Sequence, residues 1–161
     1  MIQNKINVLK IGKNKSEWIT PDITGIPPSP RYGHTMEYYP GMKIIVIYGG
    51  VTEKIFSEND DKMNSISILR ISDSLIWLKV TIYGNTPNSR YSHCSSLVGS
   101  KLLIFGGISN SKYCGSTTWA LELNSFERSR LKDDYIRKNT KDSPNNSGTH
   151  RNVKKELRFL V

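Results

Sequence analysis

The chain has 161 residues, 37% of them apolar and 23% charged, with 23 Lys/Arg against 14 Asp/Glu for a net charge of +9. That length allows one ordinary domain with a core of its own. The longest apolar run, Ile44 to Tyr48, excludes a membrane-spanning helix, which needs about 20 such residues, and Met1 to Ile6 lacks the apolar segment of a secretory leader. The expected compartment is the cytosol, with the nucleus also open to it, and the two cysteines, Cys94 and Cys114, are expected to be free and buried there.

In chain order, Lys5 to Ile11 alternates apolar and polar residues, which places one face of a strand inward. Trp18 opens a second short strand, ended by Pro21-Asp22, and Gly25 to Pro30 is a proline-fixed loop. Arg31 to Tyr39 reads as a strand, Pro40-Gly41 as a turn, and Lys43 to Tyr48 as a strand buried on both faces, ended by Gly49-Gly50. Thr52 to Met63 is polar and acidic, an exposed loop. Ser65 to Ile71 and Leu75 to Val80 complete a group of four strands.

The order then repeats. Arg90-Tyr91-Ser92-His93 follows Arg31-Tyr32-Gly33-His34 at an offset of 59, as Trp77 follows Trp18, Gly84 follows Gly25 and Pro87 follows Pro28. Gly106-Gly107 follows Gly49-Gly50 at 57, so the loop ahead of the second strand is two residues shorter. Ile66 to Ile71 matches Ile6 to Ile11 at 60, which starts the repeat near the first residue. Arg90 to Leu97, Lys101 to Phe105 and Thr117 to Leu123 are the expected strands of the second unit, with Trp119, Leu121 and Leu123 on one face. Beyond Leu123 the pattern fails: a tryptophan is due near Ser129 and none is there. Residues 126–161 carry ten Lys/Arg against five Asp/Glu, and the Asn-, Ser- and Lys-rich composition predicts a basic, mostly disordered tail. Its end, Val153 to Val161, reads equally as a short amphipathic helix or as a strand without a partner.

Four short antiparallel strands per unit, a double glycine after the second and a tryptophan in the fourth resemble the kelch repeat, the blade of a β-propeller. Trp18, Arg31, His34, Gly49, Gly50, Trp77, Arg90, His93, Gly106 and Gly107 carry the resemblance. It implies an all-β, incomplete kelch-type propeller of about two blades and roughly nine strands. Residues 1–125 would form the blades, with 5–20 partial, 21–80 full and 81–125 lacking the fourth strand, and 126–161 the tail. A closed ring needs at least four blades, so a chain of this kind is a fragment or a truncated product, or it takes further blades or another chain to close.

The repeated Arg, His and Gly residues invite a catalytic or metal-binding reading, but recurrence in each unit is what a structural device does. His34 and His93 are expected, with their arginines, to bond neighbouring backbone groups. His93-Cys94 lacks two further ligands at zinc spacing, since only Cys114 and His150 remain. No phosphate loop, nucleophile elbow or zincin motif occurs. No catalytic residue, metal or cofactor is therefore assigned. The resemblance implies a non-enzymatic scaffold that binds protein partners of unidentified kind through inter-strand loops. Candidate contact residues are Glu53, Glu58, Asp60, Asp61, Asn110, Lys112 and Tyr113. The competing reading is the propeller part of a larger enzyme, such as a kelch-containing serine/threonine phosphatase. Nucleic-acid binding by the basic tail is disfavoured against both.

Overall fold

A computed structural model of the chain describes residues 5–52, 66–83 and 85–124, and the backbone of Glu156–Leu160. The candidates Glu53, Glu58, Asp60 and Asp61, and nearly all of the expected tail, lie outside the described residues. The described chain is a β-protein. β1 (Val8–Ile11) and β2 (Ser16–Ile19) form an antiparallel hairpin. β3 (Ile23–Thr24), β4 (Tyr32–Tyr39), β5 (Ile44–Val51), β6 (Ile66–Ile71) and β7 (Leu75–Leu78) form a five-stranded sheet ordered β3-β7-β6-β5-β4. This is the full blade, with β3 added in parallel along its outer strand.

The second blade repeats that order. β8 (Thr81–Tyr83), β9 (Cys94–Val98), β10 (Lys101–Phe105), β13 (Thr118–Glu122) and β14 (Glu156–Leu160) form a sheet ordered β8-β14-β13-β10-β9. Between β10 and β13 lies a small hairpin of β11 (Ile108–Ser109) and β12 (Lys112–Tyr113). Its two turn residues, Asn110 and Ser111, both have positive φ (47° and 60°), the conformation of a type I′ turn, which matches the twist of the flanking strands.

Three expectations are corrected here. The second blade has its fourth strand: β14 pairs antiparallel with β13 and parallel with β8. The chain end is thus a strand with partners on both edges. Its register repeats that of the first blade, Leu121↔Phe159 standing where Leu69↔Trp77 stands. Second, β5 runs through Gly49-Gly50 to Val51, and β9 begins only at Cys94, because Tyr91 is taken by a single bridge to Ile108. Third, Cys94 is exposed and Cys114 partly so; both are free, but neither is buried.

The core forms where the two blades face each other. Met42, Ile44, Val46, Tyr48, Ile66 and Ile68 of the first pack against Leu102, Ile104, Leu121 and Leu123 of the second. A second, smaller cluster of Ile47, Leu69 and Trp77 lies on the other face of the first blade, with Ile6 packed against it. The N-terminal hairpin keeps the register of its repeat: Val8↔Ile19 and Leu9↔Trp18 correspond to Ile68↔Leu78 and Leu69↔Trp77. Yet the two tryptophans differ in environment, Trp77 being 8% exposed and Trp18 71%. Only the first is roofed by a neighbouring layer. Trp77→Ala is therefore expected to cost about 3–5 kcal/mol. Trp18→Ala is expected to stay within about 0.5 kcal/mol of wild type. Urea unfolding of the two variants checks the pair, and equal losses would show that burial is not what separates them.

Candidate functional site: the seam between blades and the loop end

Arg31 and Arg90 are positioned just ahead of β4 and β9 and make the same pair of bonds. Arg31 Nη1 donates to the Gly49 carbonyl at 2.9 Å and its Nε to the Ser29 carbonyl at 3.1 Å. Arg90 Nη1 donates to the Gly106 carbonyl at 2.9 Å and its Nε to the Asn88 carbonyl at 3.2 Å. Each guanidinium thus ties the proline-containing loop before an inner strand to the double glycine at the far end of the next one. The planar fork suits this geometry, since its donors diverge at fixed angles. The expectation that the arginines bond backbone groups describes this arrangement.

His93 does something else. It is buried, and its Nε2 shares a 2.8 Å hydrogen bond with Thr35 Oγ1 across the seam. Its ring meets Tyr48 edge-on, with centroids 5.2 Å apart and planes at 78°. The seam continues with Ser95 Oγ donating to Glu37 Oε1 at 3.1 Å and Tyr39 Oη donating to Asn124 Oδ1 at 3.0 Å. Two backbone bonds close it: Gly50 N–H to the Arg90 carbonyl at 3.0 Å and Ser92 N–H to the Gly33 carbonyl at 2.8 Å. Sequence reasoning missed Thr35, Glu37, Tyr48 and Ser95. The signal was present in Gly33, Thr35, Glu37 and Tyr39, which alternate along β4 and share its half-buried face.

Close approach at the seam explains one glycine of each pair. A Cβ on Gly49 would lie 2.5 Å from the Arg90 carbonyl oxygen and 2.7 Å from His93 Cε1, while one on Gly106 would meet nothing within 4 Å. Their φ values are alike, +65° and +68°. The second glycines, Gly50 and Gly107, have φ near +90° and sit over the backbone ahead of His34 and His93 in the same way.

Electrostatically the seam keeps His93 neutral. Burial, then the charge of Arg90, then His34, push its pKa down from 6.5 to about 4. Burial likewise pushes the Tyr48 hydroxyl up to about 12, against the pull of Arg90. His34, on the open face of β4, is lowered by partial burial and by Arg31. Among the described residues no three His, Cys, Asp or Glu side chains converge on a point where a metal ion would sit.

The loops gather at one end of both sheets. Tyr32 pairs with Val51 and Cys94 with Phe105, so the loops entering β4 and β9 and those leaving β5 and β10 emerge together. The seam bonds from Gly33–Ser92 to Glu37–Ser95 show β4 and β9 running side by side in one direction. Of the candidate contact residues, Asn110, Lys112 and Tyr113 stand there, all exposed, with Tyr113 at 89%.

Residues 1–153 match the family described as the KLHDC2/KLHL20/DRC7 Kelch-repeats domain. The chain belongs to the kelch-repeat family. It is 36% identical over 102 residues to a probable serine/threonine-protein kinase of Dictyostelium discoideum, covering 61% of this chain and 7% of that protein. To tip elongation aberrant protein 1 of Schizosaccharomyces pombe it is 37% identical over 76 residues, 47% of this chain and 6% of the relative. To the Rab9 effector protein with kelch motifs of Rattus norvegicus it is 31% identical over 83 residues, 52% and 21% respectively. The chain therefore spans a small part of each of these relatives. The kelch match ends three residues before β14 begins.

The His93 environment has a pH consequence. A folded-state pKa of about 4 against 6.5 in the unfolded chain means that the unfolded state binds the extra proton between those values. Stability contributed by neutral His93 is then complete above pH 6.5 and is lost as pH falls towards 4. Urea unfolding at intervals from pH 7.5 to 4 is expected to show a steeper decline for wild type than for His93→Gln. Parallel profiles would mean that His93 does not report the seam.

Proposed function

We propose that this kelch-repeat chain is a non-enzymatic scaffold that binds a protein partner through the loops at the common end of its blades. The observation that carries the reading is the β11–β12 hairpin. It holds Lys112 and Tyr113 of β12 exposed, directly after a two-residue turn, at the end where the loops entering β4 and β9 also emerge. A large aromatic presented by rigid backbone costs little ordering entropy on binding, which is why tyrosine anchors recognition surfaces. The Arg31 and Arg90 bonds fix the neighbouring loops, so the surface is organised before a partner arrives. A relative named as a Rab9 effector with kelch motifs supports protein binding as the class of activity.

Affinity capture with the wild-type chain and with a Tyr113→Ala/Lys112→Ala variant tests the assignment. Both side chains are exposed, so melting is expected to be unchanged. At least one protein recovered by wild type is expected to be lost with the variant. An identical set of recovered proteins would remove this hairpin from the binding surface.

A further inference from the structure

The β11–β12 hairpin is the middle of a small sheet of its own. Its two-residue turn makes Ser109 and Lys112 the hydrogen-bonded pair beside the turn. The next bonded pair is Gly107 with Cys114, whose N–H donates to the Gly107 carbonyl at 2.9 Å. Ile108 and Tyr113 lie between them as a non-bonded pair, so the N–H and C=O of both turn away from the hairpin. Both groups of Ile108 are taken by Tyr91, at 2.9 and 3.1 Å. Tyr113 is the mirror of Ile108 on the other strand. Among the described residues β12 pairs with β11 alone, and Tyr113 is 89% exposed. The order Tyr91, β11, β12 follows that of β9, β10, β13, from the inner strand outward. The open edge therefore continues the line of the sheet and is made by residues 91–114 alone.

On the reading that the loop end binds a protein, we propose that the partner docks there as an extended segment, adding antiparallel to the open edge of β12 as Tyr91 adds to β11, with a carboxylate opposite Lys112. Strand addition takes its affinity from backbone bonds and its specificity from alternate side chains. The partner residue opposite Tyr113 exchanges both backbone bonds with it. Its side chain lies on the face shared by Tyr113 and Ile108, where β-branched and aromatic groups pair well, so Val, Ile or Thr suits it.

Charge selects its neighbour, which stands opposite Lys112 on the other face. Lys112 is the one charged residue between Gly106 and Leu121. A lysine on a short edge discourages indiscriminate pairing, and here it selects Asp or Glu in the partner. A second copy of this chain is a poorer occupant. Two β12 edges joined about a two-fold axis at Tyr113 would set each Lys112 opposite Cys114, with no carboxylate between Gly106 and Leu121 to receive it.

The test titrates the full chain with the peptide Ser-Thr-Glu-Val-Glu-Thr-Ser. One control carries N-methyl-valine, which keeps every side chain and loses the central N–H; the other has Lys in place of both Glu. At saturation the first peptide is expected to slow exchange of the Tyr113 amide by about tenfold or more. Each control is expected to bind at least about tenfold more weakly. Lys112→Glu, at an exposed position, is expected to reverse the preference between the Glu and Lys peptides without altering the melting temperature. Absence of binding, equal binding of the N-methyl peptide, or binding that leaves Tyr113 exchange unchanged would each overturn strand addition. Loss of captured proteins in the Tyr113→Ala/Lys112→Ala variant would in that case still uphold the hairpin as a surface held by side chains alone, whereas unchanged capture would remove the surface itself. Protection of the Tyr113 amide that grows with protein concentration without peptide, accompanied by dimers in sedimentation, would overturn the proposal in favour of a second copy.

Discussion

Arg90 holds both blades at once. Its side chain fastens the Asn88 and Gly106 carbonyls of the second blade, while its own carbonyl accepts the Gly50 N–H of the first. A buried guanidinium is costly unless its donors find acceptors, so the chain around it cannot relax without a penalty. The loop before β9 is therefore fixed, and with it the start of the strand. His93 is delivered to Thr35 and Tyr48 as a consequence. The same device at Arg31 lies one blade earlier, where its carbonyl partner is Gly49. The repeated landmarks thus set loop shape within a blade and, through the seam, the join between blades.

The two outward faces of the pair are not alike. On the second blade's far face, Lys101, Thr118, Ala120 and Glu122 stand where the first blade has Ile44, Ile66, Ile68 and Arg70. Glu122 there accepts a hydrogen bond from Ser100 Oγ at 2.8 Å and another from the Asn124 N–H at 3.1 Å. This face is more polar than the one buried in the seam. The opposite end keeps aromatic and aliphatic residues exposed on β4, and Leu9, Ile11 and Trp18 exposed on the hairpin.

The blades were legible because a repeat writes the same constraint twice. Arg31 with Arg90, Gly50 with Gly107 and Trp18 with Trp77 sit at nearly constant offsets, and each pair holds corresponding positions in the fold. What escaped was whatever broke the offset or had no twin. β14 begins 34 residues after Glu122, where β7 begins only five after Arg70, so a search for tryptophan near Ser129 could not find Phe159. The parallel strands β3 and β8 are two and three residues long and lie beside loops, too short to show a period. The β11–β12 hairpin turns on Asn-Ser rather than Asn-Gly, a weaker signal for positive φ. The partner of His93 was hidden for another reason: Thr35 has no threonine counterpart in the second unit, where Cys94 stands in its place. Recurrence identified the scaffold, and the seam chemistry needed three dimensions.

The central claim is that these landmarks join blades as well as shape them, and the first glycine of each pair separates the two roles. Gly49 and Gly106 share a left-handed backbone, so replacing either with alanine adds the same conformational cost of about 1–2 kcal/mol. Only at Gly49 does the new methyl meet the Arg90 carbonyl and the His93 ring of the other blade. Measured by urea unfolding, Gly49→Ala is expected to destabilise the protein by about 2 kcal/mol or more beyond Gly106→Ala. Equal losses would contradict the account, because they would place the landmark's role wholly within its own blade.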